Sequence, residues 1–141
     1  YSPNSYQIIA RGANKMPVER RHHPRAETHL SADIVNGNEQ SMEAIITDLS
    51  AGGLTLEGSA KLVKHIEIID ADSGEPRFPI EASIVFKLPT TDAVIQIKVS
   101  CRLVHKRRLA QDLYRISMVI LEINDEQRAQ LARHVDTINA G

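Results

Sequence analysis

Two short clusters in the 141-residue chain carry side chains able to hold an anionic, hydrogen-bonding ligand. The first is Arg20-Arg21-His22-His23-Pro24-Arg25. Guanidinium groups present a planar fork that fits phosphate oxygens or the O6/N7 edge of guanine, and their faces stack on bases. Pro24 cannot sit inside a regular helix and pushes His23 towards extended backbone, so the cluster reads as a loop. The second is Asp48-Leu49-Ser50-Ala51-Gly52-Gly53. Alternation along a strand puts Asp48 and Ser50 on one face and Leu49 on the other, leaving a carboxylate and a hydroxyl side by side. The glycines tolerate positive φ and leave room for a ligand to approach the main chain. Each cluster alone has an ordinary alternative: a solvated basic junction for the first, common turn chemistry for the second.

The surrounding sequence supplies short strands to carry these clusters. Residues 1–17 show no sustained period and read as a flexible arm or linker. Beyond the arginines, Leu30, Ala32 and Ile34 alternate with His29, Ser31 and Asp33, the pattern of a half-buried strand. Asn36-Gly37-Asn38 is a turn, residues 42–50 a second strand, and Gly52-Gly53 a tight reversal or bulge before Leu54-Thr55-Leu56. Further β-like runs at 65–70, 78–88, 94–105 and 114–122 give six or seven strands, which predicts a small antiparallel barrel. Residues 59–64 suggest a single helical turn. At 124–138 the period becomes helical through Leu131, Ala132, Val135 and Ile138, with Asn124 and Gln127 spaced as a capping box.

Bulk composition narrows the function classes. A formal net charge of -1 argues against a domain that coats nucleic acid, and 4% aromatic residues with no Trp leave few rings for base stacking. No apolar run approaches the roughly 18 to 20 residues that span a bilayer. The first residues lack a charged start followed by an apolar stretch, so no export signal or membrane insertion is expected and cytoplasmic is the default. Tyr1 in place of a starting Met suggests a piece of a longer or processed protein. Cys101 lies alone in an apolar run, as expected of a buried thiol in a reducing compartment. The spacings of His22, His23, His29, His65, His105 and His134 form no recognised ligand set, so no metal is expected. Nothing places a base beside a nucleophile, and the chain is not expected to be an enzyme.

Taken in order, RxxxR at Arg21 to Arg25, a strand, then DxSxxG at Asp48 to Gly53 resembles the signature of the PilZ domain family. The resemblance covers residues 18–138 and implies an all-β fold, a six-stranded antiparallel split barrel with a C-terminal α-helix. It implies a receptor for the second messenger cyclic di-GMP. Arg21 and Arg25 match the arginines that hold guanines and phosphates, Asp48 and Ser50 the acidic and hydroxyl positions that complete the site, and Gly53 the closing glycine. An arginine at the position of Arg20 accompanies binding of an intercalated ligand dimer in this family, which points to two ligands per chain. One departure is Ser117, where many members have glycine. Lys106-Arg107-Arg108 reads either as a further phosphate contact or as a solvated basic loop, and is left outside the expected site.

The expected organisation is therefore an arm at 1–17 and a PilZ-like barrel domain at 18–141, with an arginine loop at 18–26 and a terminal helix at 124–138. The leading functional expectation is an adaptor whose arginine loop orders on cyclic di-GMP, coupling it to motility, biofilm or exopolysaccharide output through an unknown protein partner. The alternative is a barrel of the same shape that serves protein interaction without ligand. A nucleic-acid role would require binding with steep salt dependence.

Overall fold

The computed structural model describes residues 24–90 and 92–140. Six strands, β1 (Arg25–Val35), β2 (Ser41–Ser50), β3 (Gly53–Gly58), β4 (Glu81–Pro89), β5 (Val94–Ala110) and β6 (Leu113–Glu122), close into a barrel in the order β1-β2-β3-β6-β5-β4, every pair antiparallel. The ring closes between β1 and β4 over Ala32–Val35. Alternating side chains fill the interior: Ala32 and Ile34 from β1, Ala44 and Ile46 from β2, Ile84, Phe86 and Leu88 from β4, Ile97 and Val99 from β5, and Ile116 and Met118 from β6. Each fully buried Leu or Ile contributes about 1.5–3 kcal/mol. Cys101 is among them, and burial pushes its thiol up to about 12, since the low-dielectric interior disfavours a thiolate.

Between β3 and β4 the chain forms α1 (Ala60–Ile66), which packs on β2, β3 and β6 through Leu62, Val63 and Ile66. Ser59 caps it, its hydroxyl accepting from the Lys61 N–H at 3.2 Å. This corrects two sequence expectations. The single turn at 59–64 is a longer helix, and the seventh strand candidate at 65–70 is the end of that helix followed by one isolated bridge, Ile69 to Pro76. The helical spacing of Leu62, Val63 and Ile66 outweighs the short Ile-rich run that looked like a strand.

The terminal helix, α2 (Asp125–Ala140), buries Leu131 and Val135 and lies against β1 and β2. Asn124 accepts from the Gln127 N–H at 3.1 Å, half of a capping box. The reciprocal half is absent because the Gln127 side chain instead bonds β5, accepting from the Lys98 N–H at 3.2 Å and donating to the Gln96 carbonyl at 3.2 Å.

Candidate functional site

The second motif owes its geometry to a bulge. Strict alternation from the buried Ile46 would turn Asp48 into the core. The register instead slips between Ile46 and Asp48 against β3, and between Glu27 and Leu30 on β1. The extra residue re-phases the strand, so that both Ile46 and Leu49 point inward while Asp48 faces out, half-buried.

Arg25 is the first residue of β1, opposite Ser50 in the register, with Ala26 opposite Leu49 and Glu27 opposite Asp48. The expected arginine loop at 18–26 is thus strand from Arg25 onward, because this stretch pairs with the end of β2. Arg20 and Arg21 lie outside the described residues. The Arg25 Nε donates to Asp48 Oδ2 at 2.9 Å, with the two side chains 39% and 29% exposed. Its Nη2 also reaches the Thr55 hydroxyl at 3.5 Å. One residue from each motif therefore meets in an ion pair on the outer wall.

Ser50 and Gly53 sit differently. The Ser50 hydroxyl donates to the Gly53 carbonyl at 3.1 Å and accepts from the Gly52 and Gly53 N–H groups at 3.2 and 3.0 Å. One donor and two lone pairs are then all used, and Ser50 is only 5% exposed. A Cβ at Gly53 would stand 2.7 Å from the Met118 carbonyl oxygen. Positive φ is not the reason for this glycine: among the described residues that conformation belongs to Glu39 and Gly74. Gly53 is required by the closeness of β6.

Beside the Arg25–Asp48 pair, Glu27, Thr28, Thr47, Asp48, Thr55 and Arg115 line a cleft of about 400 Å³, within the usual range for small-molecule sites. A larger depression of about 650 Å³, lined by residues of β4, β5 and β6 with Asn124 and Arg128, does not include Asp48. Arg115 was not among the expected site residues; its place follows from the β3–β6 register, which no local pattern reveals.

The family model for the PilZ domain matches residues 19–137. The chain belongs to the PilZ domain family. Among solved structures, the PilZ fold here is similar to the Bacillus subtilis inhibitor of motility MotI/DgrA, with a TM-score of 0.65 at 15% identity, over 87% of this chain and 53% of that one. It is also similar to the PilZ domain of YcgR from Escherichia coli, solved with c-di-GMP, with a TM-score of 0.57 at 14% identity, over 86% of this chain and 93% of that one. A third is the K. pneumonia MrkH–c-di-GMP complex, with a TM-score of 0.51 at 20% identity, over 87% of this chain and 52% of that one. The chain thus spans about half the length of the motility inhibitor and of MrkH. No curated protein is similar enough to the chain to count as a relative. No helix among the described residues is long and apolar enough to cross a membrane.

Proposed function

We propose that this PilZ domain is a receptor for cyclic di-GMP, and that Arg25 and Asp48 are its contact residues on the barrel. The observation that carries this reading is the 2.9 Å ion pair that joins the two motifs at the edge of an outer-wall cleft. Cyclic di-GMP offers two phosphates and two guanines. A guanidinium answers phosphate or the O6/N7 edge, and a carboxylate accepts from the guanine N1–H and amine, a pairing that adenine cannot make. Arg20 and Arg21 supply the further cations, for an intercalated pair of ligands. Ser50 and Gly53 serve the site by shaping the turn that presents Asp48.

The output runs through α2. The Asn139 amide donates to the Arg25 carbonyl at 2.9 Å, and Arg128 Nη1 donates to the Ala51 carbonyl at 3.0 Å. The helix is thereby bonded to both motifs, and a ligand that shifts either one alters how α2 is held. Such an adaptor would transmit the messenger to a motility, biofilm or exopolysaccharide partner without catalysis of its own. The test is calorimetric titration with cyclic di-GMP, with GTP and cyclic di-AMP as controls, and hydrogen exchange in parallel. Saturable binding of cyclic di-GMP alone, with altered exchange in residues 18–26 and in α2, is expected. Absence of heat and of any melting shift at high ligand concentration would refute the receptor reading.

A further inference from the structure

Lys106-Arg107-Arg108 is not a loop. β5 runs on to Ala110 paired with β6, so that Arg107 stands opposite Arg115 and Arg115 opposite Glu57 of β3. Glu57, Arg115 and Arg107 therefore form a row across three strands on the outer wall. Glu57 Oε2 accepts from Arg115 Nη2 at 2.9 Å and from its Nε at 3.1 Å. On the other side Arg115 meets a like charge, an arrangement that disfavours strand pairing unless an anion shares it.

The neighbours of Arg107 have partners of their own. Lys106 Nζ pairs with Glu67 at 2.6 Å, and Arg108 donates to the carbonyls of Ala110 and Gln111 at 3.1 Å. Among the described residues, Arg107 is exposed and takes part in none of the ion pairs. Arg115 in turn faces the cleft that holds Asp48.

We propose that Arg115 and Arg107 form an anion subsite on the barrel wall that takes a phosphate of the cyclic dinucleotide, with Glu57 as its internal competitor. This rests on the receptor reading above and adds cations from β5 and β6, outside both motifs. Glu57 holds Arg115 oriented at the cleft while the site is empty. When phosphate arrives, Arg115 exchanges a half-exposed carboxylate contact, worth little in water, for charge-assisted bonds to a ligand that Arg107 also attracts.

The test compares cyclic di-GMP affinity, by calorimetry at two salt concentrations, in the wild-type chain, Arg115→Gln, Arg107→Gln and Glu57→Gln. Arg115→Gln is expected to bind about tenfold more weakly, as for loss of a hydrogen bond to a charged group. Arg107→Gln should lose about threefold, through longer-range attraction, and both variants should show a shallower salt dependence. Glu57→Gln should bind about threefold more tightly, because a competing anion is removed. Arg115→Gln and Glu57→Gln break the same ion pair, so a merely structural pair would weaken both alike, and the opposite signs separate the two roles. Equal affinities in all four chains, or weakening in Glu57→Gln, would overturn the subsite and leave the receptor reading standing. A wild-type chain that binds nothing would overturn the receptor reading, and the subsite with it.

Discussion

At one end of the two-part signature, Arg25 and Asp48 stand on the outer wall, 39% and 29% exposed, their side chains joined to each other and, among the described residues, by a long contact to Thr55. At the other end, Ser50 is 5% exposed with every hydrogen-bonding position of its hydroxyl used, and Gly53 lies under the Met118 carbonyl. A single motif thus mixes two kinds of residue. In the proposed receptor, the first kind would meet the ligand, and the second keeps β2, β3 and β6 close enough for the first to be presented.

Substitutions should separate the two ends. The largest effect is expected from Gly53→Ala. Its Cβ would force the β3 and β6 backbones apart and cost about 3 kcal/mol or more, seen as a lowered urea midpoint or a failure to fold. Arg25→Ala should leave folding within about 1 kcal/mol of wild type, since the lost ion pair is half-exposed. Its affinity for cyclic di-GMP should nevertheless fall roughly tenfold to a hundredfold. Ser50→Ala removes three hydrogen bonds, two of them buried, and leaves the Gly52 N–H and the Gly53 N–H and carbonyl without them. A destabilisation of about 2 kcal/mol by urea titration is expected, and affinity in the folded protein should stay within about threefold of wild type. The smallest effect belongs to Asn139→Ala, about 0.5 to 1 kcal/mol in stability. The same change should weaken the coupling to α2, so that the ligand alters hydrogen exchange in the helix less, with the Arg128–Ala51 bond still in place.

Much of the barrel is legible in the sequence because one face of each strand is buried. Ala32 and Ile34, Ala44 and Ile46, and Ile84, Phe86 and Leu88 repeat every second residue, and each pair or triplet marks a strand. Legibility fails where that signal does. The far half of β5 has water on both sides, so Lys106, Arg107 and Arg108 show no alternation and read as a loop although they are strand. Arg25 reads as loop beside Pro24 because its pairing with Ser50 is long-range. Motif spacing brings out Asp48, yet the bulge that turns it outward depends on neighbouring strands on both sides of β2. Arg115 reaches the cleft only through cross-strand register, which a local reading does not contain.

The most direct test titrates Arg25→Ala and Ser50→Ala with cyclic di-GMP side by side, at a temperature where the melting curve shows both chains folded. The division into contact and frame predicts that Arg25→Ala loses most of its binding at near-normal stability, while Ser50→Ala, though less stable, binds like wild type. Wild-type affinity in Arg25→Ala, or lost affinity in a fully folded Ser50→Ala, would contradict it.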